Sequence, residues 1–198
     1  MLTQTELQAR FSGALPYDQY VLQAKPTEQP GWEKFFTRVA LSPVQTQLIR
    51  GFNRRINVLV ISGSWCGDCV QQCPILRHVE LACPAPHDNP DAPGIQVRFV
   101  ERNANLDWIT PFRICAGDRV PVAIFLNEDF DYISMLGDRT LARYRAVAAR
   151  TLGPSCPLPG AAVPQDELDA TVTDWLNEFE RVALLLRLSA KLRAKHAD

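Results

Sequence analysis

The 198-residue chain predicts an α/β fold on three observations. Val58-Leu-Val-Ile61 is a β-branched and aliphatic run, the pattern of a strand covered on both faces. It breaks at Ser62-Gly63-Ser64 and gives way to a helix whose first turn carries Cys66 and Cys69. Further strand patterns at 95–100, 122–126 and 131–136 alternate with helical stretches, and additional helices are predicted at both ends.

Taken in order, Thr3-Gln-Thr-Glu6 is a capping box that opens a short helix through Phe11. A second helical piece covers 17–24 and stops at the loop Lys25-Pro-Thr-Glu-Gln-Pro-Gly31. Residues 32–41 place Trp32, Phe35, Phe36, Val39 and Ala40 on one side, a pattern read as packing rather than as a ligand site. Ser42-Pro43-Val44-Gln45 is a second capping box, with Val44, Leu48 and Phe52 as the apolar stripe behind it. Arg50, Arg54 and Arg55 read as a solvated helix end beside the negative dipole pole, in preference to a phosphate site.

The cysteine-bearing helix is expected to run to about Ala82 with a kink at Pro74. Cys73 lies one turn beyond Cys69 on the same face. It is either an auxiliary redox thiol or, preferred here, an inert buried one. His78 reads as a surface or edge histidine. Residues 83–94 form a proline-laden loop, long for a connection and so a candidate for mobility or partner contact. A short helix is expected at 103–112, followed by a segment at 113–119 that holds Cys115. The strands at 122–126 and 131–136 are joined by a hairpin turn at Asn127–Phe130. A helix then starts at Gly137 and runs through Leu152, with Leu141, Tyr144, Val147 and Ala148 on one face. Residues 153–160 read as a linker, with Cys156 between prolines. One long helix is predicted over 165–195, its stripe running from Leu168 through Trp175 and Phe179 to Leu186. That stripe is expected to cover the N-terminal helices, and Leu184–Leu188 offers a homodimer contact.

The chemistry concentrates at Cys66. The first amides of a helix have no partner within it, and the macrodipole adds partial positive charge there. Both favour a thiolate, so Cys66 is expected to have a lowered pKa and to attack, with Cys69 one turn deeper to close a disulfide. The competing reading is a zinc half-site, which needs a second Cys or His pair. Cys83, Cys115, Cys156 and the three histidines form no further C-x-x-C or H-x₃₋₅-H. Thiol–disulfide exchange is therefore preferred, and no metal is expected.

Trp65-Cys66-Gly67-Asp68-Cys69 resembles the W-C-G-P-C of the thioredoxin family, with Asp68 in place of proline. Pro74 stands where that family carries its helix proline. Val120-Pro121 and the strand after it resemble its cis-proline segment, and Gly137 matches its groove glycine. The resemblance covers about residues 55–150. It implies a central mixed β-sheet flanked by helices in a single domain, 1–198. Residues 1–55 are then a helical N-terminal extension, 56–152 the core and 165–195 a C-terminal helix. It further implies a cis peptide before Pro121 and a substrate groove of Trp65, Gly67, Asp68, Val120, Pro121 and Gly137, where Val120 pairs with substrate as an added strand.

The implied activity is thiol–disulfide exchange, Cys66 attacking and Cys69 resolving, with no organic cofactor and electrons drawn from a reductase or a small thiol. Two departures bear on this. The family's buried aspartate is replaced by Val60. Asp68 sets a negative charge beside the thiolate, which argues for a reducing enzyme near thioredoxin's roughly −270 mV rather than the roughly −120 mV of strongly oxidising periplasmic enzymes. The rival readings are a binding or redox-sensing module with little turnover, and a metal carrier using Cys66, Cys69 and Cys73.

A net charge of −1 gives no reason to expect nucleic acid or an anionic membrane as partner. The first ten residues lack a signal-peptide pattern, and no apolar run is long enough to span a bilayer. Six cysteines are too sparse for a disulfide framework, so a reducing cytoplasm is the expected location.

Overall fold

A computed structural model describes residues 2–86, 89, 92–152 and 165–196. Its core is one mixed sheet in the order β2-β1-β3-β4. β1 (Arg55–Ser62) is buried along its whole length, as its aliphatic run requires. It pairs in parallel with β2 (Gly94–Glu101) and antiparallel with β3 (Val122–Leu126). β4 (Tyr132–Gly137) completes the sheet antiparallel to β3. The loop at 83–94 and the linker at 153–160, with His87 and Cys156, lie partly or wholly outside the described residues.

Of four N-terminal helices, α1 (Gln4–Gly13), α2 (Tyr17–Leu22), α3 (Gln29–Arg38) and α4 (Pro43–Arg50), α2 packs on β2 while α3 and α4 pack mainly on α5 (Gly67–Ala82). Both predicted capping boxes form, Thr3 with Glu6 and Ser42 with Gln45. Tyr17 and Tyr20 of α2 and Trp32 of α3 meet Phe99 of β2 in an aromatic cluster, with Tyr20 stacked on Phe99 at 5.4 Å and set edge-on to Trp32 at 5.7 Å. Leu15 exchanges two backbone hydrogen bonds with Phe99, at 2.9 and 2.7 Å, and so pins this layer to the outer edge of β2. α5 (Gly67–Ala82) leaves the end of β1 and continues unbroken through Pro74. α6 (Leu141–Leu152), α7 (Glu167–Leu188) and α8 (Ala190–His196) follow the sheet.

Several expectations are corrected. The C-terminal helix is two helices, because Ser189 turns extended (φ −70°, ψ 110°) and its hydroxyl accepts from the Leu192 amide at 3.3 Å to cap α8. α7 lies mainly on α6, α5 and β4 rather than over the N-terminal helices, and its Phe179 meets Phe125 edge-on at 5.2 Å. α6 starts at Leu141 and buries Ala142 and Ala146; Leu141 and Tyr144 are exposed. The small alanines let α7 approach closely, and Asp174 of α7 accepts the Ala142 amide at 2.7 Å. α4 buries Ile49 and leaves Val44 exposed. α3 begins at Gln29, inside the expected loop, and ends before Ala40, which is exposed. The stretch 103–112 holds two 3₁₀ turns, Arg102–Ala104 and Thr110–Phe112, instead of one helix.

Arg54 and Arg55 are buried, not solvated. Arg54 pairs with Glu128, and the Arg55 guanidinium donates to Gln96 Oε1 at 2.9 Å, Asn57 Oδ1 at 3.2 Å and the Pro86 carbonyl at 3.2 Å. A guanidinium with five fixed donors survives burial when the fold supplies oxygens to meet them. His78 is an edge histidine as expected, its Nε2 lying 2.9 Å from the Phe36 carbonyl oxygen.

The N-terminal layer also reaches the cysteine turn: Trp32, fully buried, donates its indole N–H to the Ser64 carbonyl at 3.0 Å. Trp32→Ala is expected to cost roughly 3–5 kcal/mol of unfolding free energy through the cavity it leaves. Trp32→Phe, which mainly removes the hydrogen bond, should cost about 1 kcal/mol. Urea unfolding of the two variants checks both values.

Candidate functional site

The site is built where β1 ends. Gly63 stands there against the Trp65 ring: a Cβ would fall 2.8 Å from it and the indole would have to shift. The Cys66 amide donates to the Gly63 carbonyl at 2.9 Å, which closes the turn and sets Cys66 as the N-cap of α5. Cys69 follows one turn in and is fully buried, with the Gly63 amide donating to its sulfur at 3.4 Å. Cys66 is half-buried, and its thiol donates to the Val120 carbonyl at 3.6 Å.

Val120–Pro121 is a cis peptide, directly before β3. Gly137 lies against it at the end of β4, so close that a Cβ would stand 2.3 Å from the Pro121 oxygen. Elements distant in sequence thus bring together Cys66, Cys69, Val120, Pro121 and Gly137. Gly67 is exposed beside them, with open space where a side chain would be. Trp65 is 47% exposed, its indole N–H donating to Glu101 Oε1 at 3.2 Å and the Arg102 guanidinium lying 4.6 Å over its ring.

Asp68 does not act as expected. Its carboxylate is held by Arg139 at 2.6 Å and Arg143 at 3.0 Å, and Arg143 in turn pairs with Glu167 of α7. Two guanidiniums compensate the charge that was expected to oppose a thiolate. Beneath it, fully buried Gln72 donates to the Asp138 carbonyl at 3.0 Å and accepts from the Trp175 indole at 3.2 Å. This amide ties α5 to the segment after β4 and to α7. The Val60 position lies in the centre of the sheet, opposite Phe99 and Ala123, and holds no acid.

The expectation of a lowered Cys66 pKa is also corrected. Its thiol is pushed well above the ordinary 9.0, first by the hydrogen bond it shares with Cys69, then by burial and the neighbouring sulfur's charge. The amides of Cys69 and Asp68 pull the other way and are outweighed. Burial drives Cys69 up as well. The guanidiniums of Arg119, Arg139 and Arg143 are engaged with Asp138 and Asp68.

Cys73 is fully buried, 3.7 Å from the Ser62 hydroxyl. Cys115 is exposed at a tight turn (φ 50°), and Cys83 is half-buried at the end of α5. Among the described residues, no group of three His, Cys, Asp or Glu side chains could hold a metal ion, and no helix is long and apolar enough to cross a membrane. Sequence reasoning passed over Tyr20, Ser62, Gln72, Glu101, Arg139 and Arg143. Only Glu101, an acid ending an alternating strand, carried a local signal.

A vicinal dithiol at a helix start, facing a cis-proline segment across a mixed sheet, defines a thioredoxin-type site. The family model described as thioredoxin matches residues 14–149, and the chain belongs to the thioredoxin family. No protein among the curated ones matches it. The fold is similar to the 1.5 Å crystal structure of a protein of unknown function from Pseudomonas aeruginosa. The two are 17% identical with a TM-score of 0.64, covering 94% of this chain and 98% of that one. It is also similar to an HIV epitope-scaffold, 18% identical with a TM-score of 0.60, covering 92% of this chain and 98% of that one.

Raised thiol pKa values have a defined sign. Below about pH 9 both folded and unfolded chains keep their cysteine protons; above it the unfolded thiols ionise first, so folding of the reduced form loses stability as pH rises. The disulfide form has no thiol to ionise at these positions. The stability of the oxidised over the reduced protein should therefore grow between pH 8 and 10, read as the difference in urea midpoints. A separate expectation concerns Gly137→Ala, which should destabilise by about 1–3 kcal/mol because the added methyl must displace the Pro121 backbone.

Proposed function

We propose that this protein is a thiol–disulfide oxidoreductase that reduces disulfides in protein or small-thiol substrates. The observation that carries the reading is the unequal pair: Cys66 half-exposed and 3.6 Å from the Val120 carbonyl, Cys69 fully buried behind it. Cys66 attacks a substrate disulfide; one substrate sulfur leaves as a thiolate and a mixed disulfide forms. Cys69 then attacks Cys66 Sγ, the second substrate sulfur leaves, and two electrons have passed from the dithiol to the substrate. Pro121, Val120 and Gly137 wall the groove, Trp65 and Gly67 form its rim, and Asp68 with its arginines braces the helix start.

Thiols held above their ordinary pKa gain little from ionisation in the reduced state, which supports a reducing rather than an oxidising direction. The reading places the protein in the cytoplasm, recharged by a reductase or a small thiol, with no nucleic-acid or membrane partner and with a homodimer open through the exposed Leu184, Leu185 and Leu188. The same raised pKa values favour, as second reading, a redox-sensing or binding module with slow turnover.

Insulin reduction with dithiothreitol as donor separates the two. Wild type should accelerate precipitation and Cys66→Ser should abolish the effect. Cys69→Ser should instead accumulate mixed disulfides on Cys66, seen by non-reducing electrophoresis. Equal rates for wild type and Cys66→Ser would leave only the module.

A further inference from the structure

Where α1 and α2 meet the end of β2, the structure holds a cavity of about 500 Å³. It is separate from the cis-proline groove, since Cys66, Val120, Pro121 and Gly137 do not line it. Part of its wall is apolar, made by the buried rings of Tyr20 and Phe99 and by half-buried Leu15. Half-buried Glu101 lines it beside Tyr20, whose hydroxyl donates to Glu101 Oε2 at 2.9 Å. Arg10 and Lys25 line it from the surface, the Arg10 side chain 41% exposed and Lys25 exposed.

The charges in this cavity are incompletely answered by the protein. Glu101 accepts the Ser64 amide on Oε2 and the Trp65 indole N–H on Oε1, both at 3.2 Å. With Tyr20 these make three neutral donors, and among the described residues Glu101 forms no ion pair. A carboxylate offers about four acceptor positions, so one on Oε1 is unfilled by these residues. A half-buried carboxylate in that position is best completed by a cation. At the surface the Lys25 ammonium likewise has no ion-pair or hydrogen-bond partner among the described residues; only its backbone amide is held, by Glu28 Oε2 at 3.3 Å. Arg10 lies over the Trp108 ring at 5.3 Å and reaches Asp107 with one nitrogen at 3.5 Å, which leaves most of its five donors for another acceptor.

We propose that this cavity binds a short zwitterionic peptide whose first residue is apolar. Its ammonium sits on Glu101 Oε1, its first side chain lies against Phe99, Tyr20 and Leu15, and its carboxylate meets Lys25 and Arg10. The exposed Gln23 side chain, also lining the cavity, supplies an amide for the peptide bond between them. A simple carboxylic acid would leave Glu101 without its cation, and a simple amine would leave Lys25 without its anion. The volume falls within the roughly 300–1,000 Å³ of small-molecule sites and has room for a dipeptide. Because Glu101 also holds the Ser64 amide and the Trp65 indole, the bound peptide touches the residue that anchors the cysteine turn. The site goes beyond the oxidoreductase reading and stands whether or not the dithiol turns over.

The test is isothermal titration of the full, reduced chain with L-leucyl-glycine, a probe that carries no thiol. One peptide should bind per chain. N-acetyl-leucyl-glycine, which lacks the ammonium, and leucyl-glycinamide, which lacks the carboxylate, should each bind at least about tenfold more weakly, the loss of one charge-assisted hydrogen bond. Glu101→Gln and Lys25→Ala should weaken the parent peptide to a similar degree. Should Glu101→Gln loosen the cysteine turn and fail to fold, exposed Lys25→Ala still reports on the site. Absence of saturable binding to the wild type overturns the proposal, and so does equal binding of the capped peptides. Binding undiminished in either variant would place the peptide elsewhere, as in the cis-proline groove, and overturns it too.

Discussion

The structure depends on two sulfurs one helical turn apart being given opposite relations to water. Cys66 caps α5 at the surface, and Cys69 sits beneath the Gly63 turn with no exposure at all. That asymmetry follows from the chain path. β1 is buried on both faces up to Ser62, so the helix that leaves it must begin at the sheet's end and turn inward within its first turn. The first sulfur remains at the rim and the second enters the core. The cost is electrostatic: neither thiol ionises easily in this setting, and helix-end amides alone do not offset burial and a neighbouring sulfur.

Much of the remaining architecture holds that turn in place. On one side Trp32 bonds the Ser64 carbonyl and Glu101 gathers the Tyr20, Ser64 and Trp65 donors, so the N-terminal layer is wired directly to the cysteine loop. On the other, Asp68 is locked by Arg139 and Arg143, while Gln72 joins α5 to the Asp138 backbone and to Trp175 of α7. A buried amide with its donors and acceptor satisfied fixes geometry more sharply than an apolar side chain would. The helical additions at both ends therefore bear on the dithiol through specific hydrogen bonds as well as through packing.

The β1 run, the capping boxes at Thr3 and Ser42 and the Val120–Pro121 segment were readable because each depends on local chemistry that a short stretch of residues carries. What could not be read depended on partners far along the chain. Arg54 and Arg55 look like a solvated helix end until Glu128, Gln96 and the Pro86 carbonyl are folded against them. Asp68 looks like a free acid beside the thiols until Arg139, from the segment after β4, and Arg143 of α6 close on it. The face of α6 was misjudged for a related reason: periodicity favours the large residues Leu141 and Tyr144, whereas close approach by α7 selects Ala142 and Ala146. Ser189 broke a stripe that spacing alone read as continuous.

The most direct measurement of the central claim is a peptide map of the protein after one equivalent of a substrate disulfide has been reduced, with free thiols blocked in acid. Mass spectrometry should find Cys66 joined to Cys69, with Cys73, Cys83 and Cys115 carrying the blocking label. A linkage that joins Cys69 to Cys73, or a map in which Cys66 still carries the label after the substrate has been reduced, would contradict the account.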